Sequence, residues 1–265
     1  MSSVANVFGI LEAVIAHQAR GLAYSEVVAK TRVPKATTHR LLKSLVRLRY
    51  LRFDPESSRY FGDLKIAELG SAVISAFDLA QHVHPHLVAL HARTGHACHL
   101  GILDGAAGVY LDKIESAKPF EIKLYSAVGK RFPLHCTALG KVLLAALPVT
   151  EMRLLLGRKM QLFTPSTVKT RQRLEQELEI VRASGFAVDR EEITRGIVCV
   201  AAPVVGSSGA VLGAISLGFP ASIARDAGLT KEIRAVRDAA KAASDLLRGS
   251  SQTRPVRRVA GQRQR

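Results

Sequence analysis

The amino-acid sequence predicts an α+β protein of two domains, and three observations lead to this prediction. Near the N-terminus apolar residues recur every three or four positions, which indicates helices, and from Tyr50 they alternate, which indicates strands. After residue 80, predicted strands and helices do not alternate strictly, which favours a largely antiparallel sheet with covering helices. The 265 residues, 48% of them hydrophobic, are enough for two cores.

Three helices are predicted first. They span Val4–His17, a short segment that begins at a Ser25 N-cap and ends at Thr31, and Pro34–Leu48. Proline suits the first turn of the third helix. Because the connecting turns are short, this arrangement predicts a helix-turn-helix.

The third helix lies in a strip of positive charge. Between Glu26 and Asp54 no acidic residue occurs, whereas eight are basic: Lys30, Arg32, Lys35, Arg40, Lys43, Arg47, Arg49 and Arg52. Spacing predicts a buried stripe of Leu41, Leu45 and Leu48 and a solvent face of Ala36, His39, Arg40, Lys43 and Arg47. With a net charge of +16, the strip favours a polyanion partner, although a solvated basic surface is the alternative. A rod of this kind fits a DNA major groove and suggests a recognition helix.

A two-stranded hairpin and one further helix are predicted next. Tyr50–Phe53 and Arg59–Phe61 flank a run of turn-forming residues at positions 54–58, so they are predicted to form a wing. The wing would place Arg52 and Arg59 near the sugar-phosphate backbone. The segment 64–80 is predicted to be a single linker helix with an apolar stripe available to a partner subunit. The predicted DNA-binding domain is therefore 1–63, followed by the linker 64–80.

The remaining chain is divided into a mixed domain, 81–248, and an Arg-rich, disordered tail, 249–265. Predicted strands are His96–Leu103, Val109–Ile114, Glu121–Tyr125, Phe186–Val188, Val198–Val205 and Ala210–Leu217. Predicted helices are Thr137–Leu147, Val168–Ser184 and Thr230–Leu247.

The cysteine positions and the hydropathy of the chain indicate the cellular compartment. Cys98, Cys136 and Cys199 are far apart and form no CxxC pair, so neither a disulfide framework nor a zinc ribbon is indicated. No apolar run approaches the roughly 20 residues that span a bilayer. We expect a cytoplasmic protein with no membrane partner.

Four segments together resemble the IclR family of bacterial transcription regulators. These segments are Val33–Leu42, Pro133–Lys141, Gly185–Glu192 and Gly196–Pro203, and the resemblance extends from Val4 to Leu247. The chain departs from the family pattern in three places. Arg32 and Arg49 stand where glycines are usual, and Val205-Gly206 replaces an aromatic residue followed by an acidic or amide residue.

The resemblance implies a winged helix-turn-helix, a linker helix and a GAF-like effector-binding domain. It implies a homodimer or a dimer of dimers on a near-palindromic operator, since two-fold protein symmetry matches paired half-sites. Repression is favoured over activation. The expected DNA contacts are Ser25, Lys35, Thr37, Thr38, His39, Arg40, Lys43, Arg52 and Arg59, although Thr38 has the alternative of facing the helix core.

The expected effector is a small organic acid, aromatic acids included. The backbone N–H groups of Ala138, Leu139 and Gly140 open a predicted helix and would be free to hold a carboxylate. The family resemblance adds Asp189, Cys199 and Ser216 to the pocket, whereas Gly218 offers no hydroxyl where some relatives do. Cys199 has the alternative of a small buried hydrophobic residue.

Two rival interpretations start from other residues. A metal-responsive regulator would use the histidines between His82 and His99, which are six of the nine in the chain. An acyl-transfer enzyme would pair the Cys136 thiolate with His135. The favoured expectation is a non-enzymatic regulator with no catalytic residue, no metal ligand and no cofactor.

Overall fold

The computed structural model describes residues 2–75, 77–117, 126–156 and 160–249. The chain divides into two compact units, residues 1–76 and 77–265. Within the described ranges, no helix combines the length and the apolar character needed to cross a bilayer. The finer sequence-based division into 1–63, 64–80, 81–248 and 249–265 stays a prediction.

The first unit contains three helices, a small sheet and a fourth helix. The elements are α1 (Ser3–Ile15), β1 (Leu22–Ala23), α2 (Tyr24–Thr31), α3 (Lys35–Arg47), β2 (Leu51–Asp54), β3 (Arg59–Gly62) and α4 (Leu64–Ser75). The antiparallel sheet has the order β1-β3-β2, so the predicted helix-turn-helix and hairpin are both present. Sequence reasoning missed β1 because two residues are too few to show alternation.

Two local predictions in this unit were wrong. Ser25 is not an N-cap, because α2 begins at Tyr24 and the N–H of its N-cap Ala23 donates to the Glu26 carboxylate at 3.0 Å. Leu48 is 50% exposed, because α3 ends at Arg47 and the chain then leaves the helical path. The core residues that α3 contributes are Thr38, Leu41, Leu42 and Leu45.

The prediction that residues 64–80 form one continuous linker helix was also wrong. α4 ends at Ser75, and Phe77 is an N-cap in extended conformation for a new helix, α5 (Asp78–Thr94). An extended residue cannot continue the helical hydrogen-bond ladder, so the last predicted linker residues belong to α5 in the second unit.

The second unit is a six-stranded antiparallel sheet between helices. Its strands are β4 (Ala97–Asp104), β5 (Ala107–Ile114), β6 (Arg131–Phe132), β7 (Ala187–Arg190), β8 (Ile197–Val205) and β9 (Val211–Pro220). Its further helices are α6 (Ala138–Ala145), α7 (Val149–Leu155), α8 (Arg171–Ser184), α9 (Ala221–Ala227) and α10 (Thr230–Gly249). The strand order is β6-β5-β4-β9-β8-β7. The antiparallel sheet with flanking helices is therefore confirmed.

Each face of this sheet covers its own hydrophobic core. On one face, residues of α5 and α10 pack with alternate residues of β4, β8 and β9, including Leu100, Val200 and Leu217. On the other face, α6, α7 and α8 pack over smaller residues, including Ala187, Ala201 and Ala214. The strands therefore present small side chains to α6 on this second face.

Most predicted elements differ from the observed ones only in their ends. β6, α7 and α9 were not predicted, since each is short. The predicted strand Glu121–Tyr125 lies outside the described residues, as does the predicted tail from residue 250 onward.

Candidate nucleic-acid interface and small-molecule site

The solvent face of α3 is confirmed. Ala36, His39, Arg40, Lys43 and Arg47 are all exposed, while the opposite face is anchored in the core. The Tyr24 hydroxyl donates to the Lys35 carbonyl at 2.7 Å, which ties α2 to the first turn of α3. The helix therefore presents a rigid row of hydrogen-bond donors.

Thr38 does not belong to this exposed face. Its side chain is fully buried, and its hydroxyl lies 3.2 Å from both the Val33 and the Pro34 carbonyl oxygens. Its expected DNA contact is therefore wrong, and the alternative of a core position holds. Thr37 is partly exposed.

The positive strip is exposed throughout its length. All eight of its Lys and Arg residues are exposed. Arg52 on β2 lies over the Phe61 ring at 4.4 Å, and Arg49 lies 3.8 Å from Asp63. Ser25 is exposed in the first turn of α2. The strip therefore combines high positive charge with a defined helical face.

Arg59 has an internal partner instead of a free guanidinium. Its Nη1 donates to the Gly21 carbonyl at 3.1 Å and to the Glu26 carboxylate at 2.9 Å. The pKa of Glu26 is lowered to about 2, first by the Ala23 N–H and then by Arg20, with Arg59 adding a smaller effect. The position of Arg59 therefore indicates a role in joining β3 to α2, and does not support the expected phosphate contact.

The backbone conformation at two departures from the family pattern explains why glycine is usual at these positions. Arg32 at the end of α2 has φ 56° and Arg49 after α3 has φ 63°, both in the left-handed region. Glycine adopts this conformation without the steric cost that a side chain imposes. This chain therefore keeps both turns and accepts strain at two exposed basic residues.

The three predicted pocket residues of the sheet share one face. Asp189 on β7 is opposite Cys199 on β8, and Ser216 on β9 is opposite Ala201 on β8. Cys199 and Ala201 belong to the cluster beneath α6, so alternation places Asp189 and Ser216 on that face as well.

Asp189 is 1% exposed, and its Oδ1 accepts a hydrogen bond from the Glu192 N–H at 2.7 Å. Burial raises the pKa of Asp189 to about 7, and the Glu192 charge adds to the shift, whereas Lys141 opposes it. The site therefore holds a carboxyl group that changes charge near neutral pH.

A buried ion cluster that sequence reasoning missed lies beside Asp189. Lys141 on α6 is 2% exposed, and its Nζ lies 2.5 Å from Glu192 Oε1 and 2.8 Å from Glu177 Oε2. Burial alone would lower the pKa of Lys141, but the two carboxylates raise it, so the amine stays charged. The sequence signal was present, since Lys141 closes the Pro133–Lys141 segment.

The N-terminus of α6 offers fewer donors than expected. Thr137 is the N-cap, and its Oγ1 accepts from the Gly140 N–H at 3.1 Å. The prediction that the Gly140 N–H is free was therefore wrong, which leaves Ala138 and Leu139. A Cβ on Gly140 would lie 2.3 Å from the Leu134 carbonyl oxygen, so this glycine permits close packing instead.

Comparison with known proteins identifies both units. Residues 3–55 match the model of the IclR helix-turn-helix domain, and residues 71–245 match that of the bacterial transcriptional regulator IclR C-terminal domain. The chain belongs to the IclR family. It is therefore a ligand-responsive, DNA-binding transcriptional regulator, as the sequence predicted.

Individual relatives align along most of the chain. The HTH-type transcriptional regulator XynR of Escherichia coli is 38% identical over 87% of this chain and 91% of its own length. The HTH-type transcriptional repressor AllR of the same species is 29% identical over 84% of this chain and 82% of its own length. The crystal structure of Thermotoga maritima IclR matches with a TM-score of 0.75 and 29% identity, covering 91% of this chain and 97% of that one.

Two of the clustered histidines of this IclR-family chain have partners other than a metal ion. His84 lies 2.6 Å from Asp112, and His91 lies 2.9 Å from the His96 carbonyl oxygen. Among the described residues, no three His, Cys, Asp or Glu side chains converge as metal ligands. The structure gives the metal-responsive alternative no support.

The arrangement at Cys136 opposes acyl transfer. Burial raises the pKa of Cys136, and Asp189 and Glu192 raise it further, whereas a nucleophile requires the thiolate. The adjacent His135 directs Nε2 to the Gln161 carbonyl oxygen at 2.9 Å.

Proposed function

We propose that this IclR-family regulator is a cytoplasmic repressor that leaves its operator when a small organic acid binds the second unit. The observation that carries the proposal is the exposed face of α3. This face presents several hydrogen-bond donors and contains no acidic residue. A family relative named as a transcriptional repressor, AllR, supports the direction of regulation. The regulator needs no catalytic chemistry and no cofactor for this role.

The proposed DNA contacts divide into base and backbone contacts. Arg40 and Lys43 lie one turn apart on the exposed face and would reach guanine edges in the major groove. The remaining contacts position the helix, and they are Ser25, Lys35, Thr37, His39 and Arg52. Thr38 and Arg59 are not among the proposed contacts, because Thr38 is buried and Arg59 is paired with Gly21 and Glu26.

A homodimer, or a dimer of dimers, is proposed on a near-palindromic operator. None of the residues of α4 is buried, although Leu64 is 69% exposed and Val73 60%. On α1, Val4 and Phe8 are likewise exposed. Apolar side chains on two helices of one unit would be covered by a second copy, which would also supply the second half-site.

The effector is proposed to bind on the sheet face beneath α6. The N–H groups of Ala138 and Leu139 begin this helix, where the backbone dipoles favour an anion. The side chains of Asp189, Cys199 and Ser216 would hold the rest of the acid. Their shared position on the face beneath α6 supports the proposal, because it brings all three to the helix whose N-terminus would hold the carboxylate.

DNA binding is tested in two steps. Host genomic fragments that the full chain retains are selected first, and the affinity of the chain for a retained fragment is then measured by fluorescence anisotropy. The triple variant Lys35→Ala, Arg40→Ala and Lys43→Ala should lose roughly tenfold or more in affinity and show a shallower salt dependence. A matched variant removes three exposed cations of the second unit: Arg195→Ala, Arg234→Ala and Arg237→Ala. Equal losses in the two triple variants would contradict the proposed interface.

Effector binding is tested on the retained fragment. Asp189→Ala or Ser216→Ala should prevent release by an acid that releases the wild type, while binding without acid is unchanged. If both variants also lost binding in the absence of acid, the proposed division between the two units would be wrong.

A further inference from the structure

A tyrosine that sequence reasoning missed lies next to the proposed effector residues. Tyr110 on β5 packs, partly buried, against the hydrophobic cluster beneath α6. Burial raises the pKa of Tyr110, and the charges of Cys199, Asp189 and Cys136 raise it further. Two of these neighbours come from the neighbouring strands β7 and β8, and the third precedes α6. The phenol therefore stays protonated and is a hydrogen-bond donor on the sheet face beneath α6.

The Tyr110 ring is held in place by aromatic neighbours. Its centroid lies 4.6 Å from that of Phe132 and 5.3 Å from that of His99. Two glycines make room for Phe132, because a Cβ on Gly101 or Gly108 would lie 2.8 or 2.1 Å from its ring. Gly101 is also the residue opposite Tyr110 in the sheet. The backbone pattern therefore orients the ring before any ligand arrives.

Among the residues that the structure describes, none is a hydrogen-bond partner of the Tyr110 hydroxyl group. Within the described residues, no hydrogen bond reaches the Tyr110 hydroxyl, and this oxygen is not among the enclosed, unpaired polar atoms. A phenol that is fixed, protonated and open can donate to a molecule that enters the site.

The groups around this end of the site are polar but mostly uncharged. His99 Nδ1 lies 3.4 Å from Ser216 Oγ, and its Nε2 lies 2.8 Å from Ser126 Oγ. Burial lowers the pKa of His99 to about 3, with Lys113 adding to the shift, so the ring is neutral. The Lys113 ammonium is paired with Glu115 at 2.7 Å. These groups suit a neutral oxygen better than a second carboxylate.

We propose that Tyr110 is a specificity-determining residue of the effector site, and that it selects acids that carry a second oxygen as a hydroxyl or oxo group. The Tyr110 hydroxyl donates to that second oxygen, while the carboxylate lies at the N-terminus of α6. This assignment rests on the proposed function, because it requires the effector to bind beneath α6.

Isothermal titration of the full chain with matched acids tests the assignment. The probes are benzoate with 4-hydroxybenzoate, and propanoate with lactate and pyruvate. In at least one set, the wild type should bind the hydroxyl or oxo acid roughly threefold to tenfold more tightly than the unsubstituted acid. Tyr110→Phe should bring that ratio close to one and leave the affinity for the unsubstituted acid unchanged.

Tyr60→Phe is the matched control, because it removes a tyrosine hydroxyl from the first unit and should keep the wild-type ratio. Equal loss for both acids of a set in Tyr110→Phe would indicate a structural role and overturn the assignment. A wild type that binds unsubstituted acids without preference would overturn only the role of Tyr110. A wild type that binds none of the probes would overturn the proposed acid effector as well.

An optical measurement separates contact from packing. The chain contains no tryptophan and five tyrosines, so the near-ultraviolet difference spectrum on binding reports tyrosine surroundings. A hydroxyl or oxo acid should produce a tyrosine difference band in the wild type and in Tyr60→Phe. Persistence of the same band in Tyr110→Phe would overturn the assignment.

Discussion

The two units of this regulator carry their functional groups in opposite environments. In the first unit, Arg40 and Lys43 stand exposed on one helix, with no acidic partner on the same face. In the second unit, Asp189 and Lys141 are almost completely buried and depend on partners from other elements. Exposed groups affect binding with little effect on folding, whereas buried ones affect both. The variants below test this difference, from the largest expected effect to the smallest.

Lys141→Ala should destabilise the chain most. Removal of the amine leaves the Glu192 carboxylate, 5% exposed, without its counter-ion, which costs roughly 3 to 5 kcal/mol for a buried pair. Urea unfolding measures the loss. The double variant Lys141→Met with Glu192→Gln should recover much of it, because no buried charge is then left unpaired. A loss no larger in Lys141→Ala than in the exposed control Lys43→Ala would contradict the importance of this cluster.

Asp189→Asn should change how stability depends on pH. Because the pKa of Asp189 is about 7 in the folded state against 3.8 ordinarily, the folded state retains a proton that the unfolded state has lost. Its contribution to stability therefore falls as pH rises from about 4 to 7, by up to about 4 kcal/mol. The amide removes this dependence and should stabilise the chain at neutral pH. Thermal unfolding across this range checks the sign, and identical profiles for wild type and variant would refute the shift.

Arg40→Ala should weaken specific DNA binding by roughly 1 to 3 kcal/mol and relax the base preference at its position. Stability should be unchanged because the side chain is exposed. Binding to operator variants, together with urea unfolding, measures both effects.

Thr38→Val on the same helix should behave in the opposite way. The buried hydroxyl is lost at a cost of about 1 kcal/mol in stability, while base preference is kept. A change in base preference in Thr38→Val would indicate that Thr38 contacts DNA and would contradict its position in the core.

Arg32→Gly should have the smallest effects, and they should have opposite signs. Glycine relieves the left-handed backbone and should stabilise the chain by up to about 1 kcal/mol. Loss of one charge from the strip should lower the slope of log affinity against log salt by about one if Arg32 contacts phosphate. An unchanged slope would show that Arg32 lies outside the DNA interface.

The sequence predicted the first unit better because its signal is local. The spacing of Leu41 and Leu45 is sufficient to orient α3 and to expose Arg40 and Lys43. Errors occurred at helix termini, at Ser25 near the start of α2 and at Leu48 after the end of α3. Periodicity does not indicate which residue begins or ends the helical hydrogen-bond pattern. The internal partner of Arg59 was also hidden, since Glu26 lies 33 residues earlier in the chain.

The second unit was predicted as an architecture but only partly as a site. Its strands and antiparallel pairing followed from alternation and turns, whereas Tyr110 was missed and His99 was considered only as a metal ligand. Tyr110 is significant only because β5 pairs with β4, and because Gly101 opposite it and Gly108 on its own strand make room for Phe132. No spacing within one strand contains that information.

The sequence by itself determined the helix-turn-helix, the exposed face of α3 and the family of this regulator, because these depend on residues close in the chain and on matching motifs. Only the tertiary structure decided that Lys141 neutralises Glu192, that Thr137 accepts a hydrogen bond from the Gly140 N–H, and that the Tyr110 ring lies 5.3 Å from that of His99. The physical reason is that burial and charge pairing depend on contacts between distant segments. Those contacts exist only after the sheet order β5-β4-β9-β8-β7 has formed.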